Sequence, residues 1–333
     1  MNRWFSLRLI PPLAVILLCA GFLIWIDRPE FRYALAGNAR ECSAYQLVNL
    51  PESVDFVAIG SSRVRRGIDS ELLMQKSEGL ISDAYNLGRP GRSALRNLRV
   101  LRDILGRPND LKFAFVEIDV DLLFSSRKDG GLGLGPSSAF LSHADLPDVY
   151  AHSLNNPALQ TMTAARFEYD KVRYALVGLF SGLIWDTYQS LDQPAPRACW
   201  QPNFDKVFPG KIARERNTWR RRFDDLQTAT IDGSIKNSYI VRQQLELLDE
   251  IRQLAAEHGI TFLVSRQGAA YEPPLSEKTV RAIKAIIPEF IYPPESLVRR
   301  TWRYFADNHH FDTEARDMYT KWLARQFVKA AED

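Results

Sequence analysis

Short apolar runs alternate with amphipathic helical stretches in two parts of this chain, and that alternation leaves few folds open. Val54-Asp55-Phe56-Val57-Ala58-Ile59-Gly60 is a brief apolar run bounded by turn residues, which predicts a buried strand. It runs into a tight serine turn at Ser61 and Ser62. Asp69 is placed to cap a helix carrying Leu72, Leu73 and Met74. Ile81 to Leu87 is a second strand, ended by Gly88-Arg89-Pro90-Gly91. Ser93 then caps a helix whose Leu95, Leu98, Leu101, Ile104 and Leu105 share one face. Lys112 to Asp119 is the third strand. The alternation resumes at Asn237 with a long amphipathic helix through Leu245, Leu247, Leu248, Ile251 and Leu254, stopped at His258-Gly259. A strand over Ile260 to Ser265, a helix over 276–287 and a short strand over Glu289 to Tyr292 follow. A closing helix runs from Asp312 to about Ala331, with Asp312 or Thr313 as its cap. Strands separated by helices in this way predict an α/β fold with a parallel sheet covered on both faces.

Between these blocks the pattern stops. Residues 125–137 are rich in Ser and Gly and read as a flexible loop. A phosphate cradle would need a strand-to-helix setting and a following Lys, and this stretch has neither. Residues from 140 to about 235 read as a helical, irregular insertion or lid. With 333 residues, 46% of them hydrophobic and 25% charged, the chain has ordinary globular composition and enough apolar material for a sizeable core. A net charge of +3 makes no case for nucleic acid. Three cysteines are too few for a disulfide scaffold.

Leu9 to Ile26 is almost wholly apolar and about long enough to cross a bilayer core. Arg3 and Arg8 precede it, and Trp4 and Trp25 stand near its two ends, so the positive-inside rule keeps the N-terminus cytoplasmic. The expected organisation is a cytoplasmic tail (1–8), a transmembrane anchor (9–26), a juxtamembrane linker (27–50) and an extracytoplasmic domain (51–333) with an insertion at about 125–235. A cleaved signal peptide is the rival reading. Against it, Ala34-Leu35-Ala36 lies far beyond the apolar run, and Leu18 before Cys19 is bulky for a lipoprotein site. In an oxidising compartment Cys42 and Cys199 are candidates for a disulfide, or else two buried small hydrophobes.

In open parallel sheets, sites lie beyond the carboxyl ends of the strands. Gly60-Ser61-Ser62, Gly88-Arg89-Pro90-Gly91 and Asp119-Val120-Asp121 follow the first three strands, and Asp307-Asn308-His309-His310 precedes the last helix. A serine hydroxyl needs a base to act as a nucleophile, histidine is the natural one near neutral pH, and a carboxylate fixes its tautomer. Backbone N–H groups at a serine turn and a glycine turn can bind an oxyanion. Each motif alone has a bland reading: Gly-Ser-Ser is usually just a turn, and a His near a helix start can be a cap partner. His309 with Asp312 is a rival base pair. His143, His152 and His258 lack suitable neighbours, and no metal-binding spacing is present. Arg63, Arg65, Arg66, Arg89 and Arg92 crowd the same region, and Arg92, Arg96 and Arg99 follow one helical face. They read as a solvated helix face or, less simply, as a surface for an anionic substrate or partner.

Taken together, these blocks resemble the SGNH, or GDSL-type, hydrolases. Gly60-Ser61-Ser62 is similar to the family's first block, with Ser62 as nucleophile. Asn86-Leu87-Gly88-Arg89-Pro90-Gly91 resembles the second, with Gly91 as the oxyanion glycine, and Asp307-Asn308-His309-His310 resembles the last. Ser at the middle of the first block is also seen in the membrane-anchored branch that includes the teichoic-acid D-alanylation and polysaccharide O-acetylation proteins. The third block departs: Asp119-Val120-Asp121-Leu122 stands where the family has Gly-x-Asn-Asp, with Asp121 near the Asn position. The resemblance covers 54–122 and 238–331. It implies an SGNH-like (flavodoxin-like) three-layer sandwich that uses no cofactor. It also implies acyl-ester chemistry through acyl-Ser62, with His310 as base, Asp307 orienting it, and an oxyanion hole at Ser62 and Gly91, with Asp121 as a further candidate. Water as acceptor makes an esterase; a sugar hydroxyl makes an O-acyltransferase acting on a cell-surface polysaccharide beside a membrane-bound O-acyltransferase. A non-catalytic assembly or binding protein of an exopolysaccharide system is the alternative, and a lipid-directed esterase with an apolar cleft under 140–235 a third.

Overall fold

The computed structural model describes residues 14–15, 17–25, 27–28, 46–47, 49–89, 94–118, 165, 167–169, 172–173, 197, 235, 239–266, 274–301, 304–305 and 310–332. The chain divides into two compact units, Met1–Val48 with Leu134–Gln193, and Asn49–Gly133 with Pro194–Asp333. The second unit contains the sheet.

In chain order that unit runs β1 (Phe56–Ile59), α1 (Ser62–Gly67), α2 (Ser70–Lys76), β2 (Ala84–Asn86), α3 (Ala94–Leu105) and β3 (Phe113–Glu117). It continues with α4 (Tyr239–Glu257), β4 (Thr261–Ser265), α5 (Glu277–Lys284), β5 (Phe290–Ile291), α6 (Glu295–Thr301) and α7 (Thr313–Glu332). The five strands form one parallel sheet in the order β2-β1-β3-β4-β5. β1 and β2 are buried along their whole length. A sheet covered on both faces has no solvent side, which is why these strands read in sequence as unbroken apolar runs.

Side chains alternate across a strand, so each face of the sheet has its own core. Phe56 and Ala58 of β1, Phe113 and Phe115 of β3 and Leu263 of β4 pack with Val64, Leu73 and the α7 residues Ala315, Tyr319, Trp322, Leu323 and Phe327. The Phe327 ring meets Phe56 edge-on at 5.1 Å and Phe113 at 5.9 Å. Such pairs contribute about 0.5–1.5 kcal/mol each beyond area burial. Val57 and Ile59 of β1, also buried, turn to the opposite face. There α3 packs on α4, and Arg102 pairs with Glu250 at 3.1 Å.

The helix ends follow local chemistry. Asp69 caps α2 by accepting from Leu72 N at 3.1 Å, as expected. Of the two caps expected for the last helix, Asp312 serves: its Oδ1 accepts from Ala315 N at 3.1 Å. α4 stops where Gly259 N donates to Ala256 O and Ile260 N to Ala255 O, the paired bonds of a Schellman ending.

Two helices were not expected. α1 occupies what reads in sequence as a bare serine turn. Its Ser-Arg-Val-Arg-Arg-Gly stretch is too short and too charged to show an apolar stripe. α6 is one residue longer, with only Val298 and Thr301 buried, and it starts where Leu297 N and Val298 N donate to Pro294 O.

Residues 14–15 and 17–25 are helical, and Val15, Leu17, Leu18 and Ile24 are exposed. No helix among the described residues is long and apolar enough to cross a membrane. The first part of the apolar run, residues 9–13, lies outside the described residues, as do Cys42, Cys199 and nearly all of 125–235.

Candidate active site

Ser62 Oγ and His310 Nε2 lie 2.8 Å apart, although 248 residues separate them in the chain. The sheet order explains why the first of them sits where it does. From β1 the chain moves outward to β2, whereas from β3 it moves the other way to β4 and β5. At such a reversal a crevice opens beyond the carboxyl ends of the two central strands. Ser62 follows β1, and Glu117 ends β3.

The serine turn is held by its neighbours on every side. Ser61 is the N-cap of α1, and its Oγ accepts from Arg63 N at 3.1 Å. Its own N–H donates to Glu117 Oε2 at 2.8 Å. Gly60 O accepts from Arg89 N at 2.9 Å and from the Arg96 guanidinium at 3.3 Å. A Cβ on Gly60 would lie 2.4 Å from Val64 Cγ2 and 2.7 Å from Glu117 Cβ, so only glycine fits between strand and carboxylate.

The far end of α1 is held from β2. Asn86 Nδ2 donates to Val64 O at 2.8 Å, Arg65 O at 3.3 Å and Ile68 O at 2.7 Å. Its Oδ1 accepts from Gly88 N at 3.0 Å. Gly88 lies against α1 so closely that a Cβ there would be 2.2 Å from Arg65 N. The Asn-x-Gly part of the second block is therefore a clamp on the helix that begins with Ser62. Arg197 secures β2 in turn. Its carbonyl accepts from Asn86 N at 3.0 Å and Ser70 Oγ at 3.1 Å, and its guanidinium pairs with Asp83.

His310 is presented by a short aromatic base. Phe305 and Phe311 form an antiparallel bridge, with their rings edge-to-face at 4.9 Å. Asp312 N donates to Tyr304 O at 2.8 Å, just before α7 begins. Phe311 rests on Tyr319 at 5.7 Å, and the Tyr319 hydroxyl donates to Ser265 Oγ at 3.3 Å. Full burial pushes the Tyr319 hydroxyl far above its ordinary pKa, outweighing the Ser265 hydrogen bond that lowers it. A small cavity of about 20 Å³ lies among Arg266, Tyr292, Leu297, Phe305, Phe311 and Tyr319.

Of the residues singled out in the sequence, Ser62 and His310 come together, both half-buried. Asp307, His309, Gly91, Asp119 and Asp121 lie outside the described residues. Asp312, expected as partner in the rival pair with His309, has Oδ1 engaged as the α7 cap. Three of the arginines are not on a solvated face: Arg63, Arg89 and Arg96 are 4%, 4% and 5% exposed, whereas Arg65, Arg66 and Arg99 are half-buried and Arg92 lies outside the described residues. Glu117 was passed over in the sequence, and Asn86 was read only as the start of the second block, with no role of its own. Their signal was polarity at the end of, or within, an otherwise apolar buried run, where a polar side chain must find partners.

A serine hydroxyl within hydrogen-bonding distance of an imidazole nitrogen is the core of a nucleophile–base pair. Comparison of the chain with protein families and with curated proteins finds no match.

Proposed function

We propose that this protein is a serine acyl-ester hydrolase or O-acyltransferase of the SGNH type. The contact between Ser62 Oγ and His310 Nε2 at 2.8 Å carries this reading, together with its place at the reversal of the sheet. With Nε2 unprotonated, the Ser62 hydroxyl donates to it. His310 takes that proton as Oγ attacks the acyl carbonyl carbon. The tetrahedral intermediate collapses, His310 gives the proton to the departing alkoxide, and acyl-Ser62 remains. Water or a sugar hydroxyl then surrenders a proton to His310 and takes the acyl group, and His310 returns that proton to the departing Ser62 Oγ, which regenerates the serine. Asp307 is proposed to orient His310, and the Ser62 and Gly91 backbone to bind the oxyanion, with Asp121 beside them.

The acceptor is proposed to be a cell-envelope glycan, with a membrane-bound O-acyltransferase as a further partner. Leu9 to Ile26 is proposed as the membrane anchor that holds the domain on the extracytoplasmic side. Exposed Val15, Leu17, Leu18 and Ile24 support that placement, since a helix apolar on several sides needs an apolar surrounding.

The test uses the full-length protein in detergent with a fluorophosphonate probe and p-nitrophenyl acetate. Labelling and turnover in the wild type, both lost in Ser62→Ala and His310→Ala, are the expected result. A folded wild type that takes no label overturns the reading in favour of a non-catalytic binding protein, and label that survives Ser62→Ala overturns Ser62 as the nucleophile.

A further inference from the structure

We propose that Glu117 is a positioning residue for Ser62, holding the turn that presents the nucleophile through the N–H of Ser61; this rests on the acyl-serine reading above. The peptide between Gly60 and Ser61 is gripped at both ends. Its N–H donates to the Glu117 carboxylate at 2.8 Å. Its C=O accepts from Arg89 N at 2.9 Å and the Arg96 guanidinium at 3.3 Å. A carboxylate on the donor end and a cation on the acceptor end both stabilise one orientation of that peptide dipole, and charge-assisted bonds of this kind are the strong ones. Ser62 is the next residue, and with Ser61 held at φ −80° and ψ −172° as the N-cap, that peptide plane helps to set the direction of its Cα–Cβ bond.

The contact does more than end a helix. In a capping box, the residue three positions into the helix reaches back to the N-cap N–H. In α1 that position is Val64, which has no acceptor to offer. Ser61 Oγ already satisfies Arg63 N. The remaining role passes to Glu117, from a different strand, 56 residues away in the chain. β3 thereby sets the position of the turn that follows β1. The missing side chain at Gly60 leaves room for the carboxylate, since a Cβ there would be 3.0 Å from Oε2.

The experiment compares full-length wild type with Glu117→Gln, Glu117→Asp and Glu117→Ala. Its readouts are fluorophosphonate labelling rate, kcat and KM for p-nitrophenyl acetate, melting temperature, and the NMR signals of the Ser61 amide and the His310 ring. Gln keeps an acceptor at the same reach and is expected to label within about threefold of wild type, whereas Ala, losing a hydrogen bond to a charged acceptor, is expected to fall about 10- to 100-fold. The fall is expected in kcat with KM little changed. The Ser61 amide and His310 ring signals are expected to move in Ala and to stay in Gln. Asp, one methylene shorter, is expected between them, and it replaces Ala in the comparison if Ala does not fold. Equal labelling by wild type and Ala, with unmoved Ser61 and His310 signals, overturns the inference while leaving the acyl-serine reading intact. If the wild type takes no label, that reading fails. The inference as a catalytic one fails with it, and a His310 ring that still responds to Glu117→Ala shows the clamp to be structural only.

Discussion

Asn86 is bonded to Ile68: its Nδ2 donates to the Ile68 carbonyl at 2.7 Å, across the end of α1. The same amide reaches Val64 O at 2.8 Å. The last carbonyls of a short helix lack intrahelical partners. Here a side chain from the neighbouring strand supplies them, and it thereby fixes the helix whose first residue is Ser62. Asn86→Ala takes the side-chain donor from the Ile68 carbonyl and leaves Val64 O only its backbone bond from Ile68 N at 3.2 Å, and it is expected to cost about 1–3 kcal/mol. Asn86→Asp, which turns an acceptor toward acceptors, is expected to cost more. Urea denaturation checks both, and a loss below about 0.5 kcal/mol for Ala would contradict the clamp.

Gly88→Ala places a methyl group 2.2 Å from Arg65 N and 2.9 Å from Ser61 O. Backbone cannot retreat as a flexible side chain can, so α1 must shift. The expected cost is about 3 kcal/mol, at the upper end for overpacking. Because α1 starts at Ser62, the substitution is also expected to slow serine-probe labelling. A variant as stable and as reactive as wild type would show that α1 is not held against β2.

Asp69 serves both as the α2 cap and as a partner of α7. It accepts from Leu72 N at 3.1 Å and pairs with Arg316 at 3.0 Å, while its own N–H donates to Thr320 Oγ1 at 3.0 Å. Asp69→Asn keeps an N-cap oxygen but loses the charge. Asp69→Ala loses both and takes from the largely buried Arg316 guanidinium its nearer carboxylate, leaving Asp317 at 3.3 Å. Expected losses are about 1 kcal/mol for Asn and about 3 kcal/mol for Ala. Thermal melts of the two variants check the order, and equal losses would mean that the cap bond to Leu72 N contributes nothing.

Tyr319 is expected to contribute to the loss of stability at alkaline pH. Burial raises its hydroxyl pKa in the folded state above the ordinary value of 10.0. Above pH 10 the unfolded chain therefore sheds this proton while the folded chain keeps it. The folded state then binds more protons, so stability falls as pH rises. The contribution is complete below the unfolded value and is lost progressively above it. Tyr319→Phe is expected to flatten that decline, at about 1 kcal/mol near neutral pH for the lost bond to Ser265. Stability measured against pH, with tyrosinate absorbance as a second probe, tests it. An unchanged alkaline slope in the Phe variant would assign the decline to other groups.

Much of this was legible in the residues. Ser62 and His310 were singled out from short motifs, and they meet at 2.8 Å. Asp69 was identified as a cap because an Asp before an apolar-periodic stretch has a local reason to be there. Arg96 was misjudged for the same reason reversed. Its spacing matched an exposed helix face, but its guanidinium reaches Gly60 O, a partner 36 residues earlier in the chain. Glu117 escaped notice because its partner is a backbone N–H on another strand, and nothing in a local window marks that donor.

The sequence by itself determined the class of fold. Hydrophobic period and breaker residues are local quantities, and they placed every strand of the sheet to within a few residues. It also determined which residue types were available for chemistry at the strand ends. The tertiary structure alone decided the order β2-β1-β3-β4-β5, which brings Ser62 and Glu117 to one crevice. It also decided which polar residues carry the site, because the partners of Asn86, Arg96 and Glu117 lie 18, 36 and 56 residues away in the chain. Burial makes such partners obligatory, but only packing chooses them.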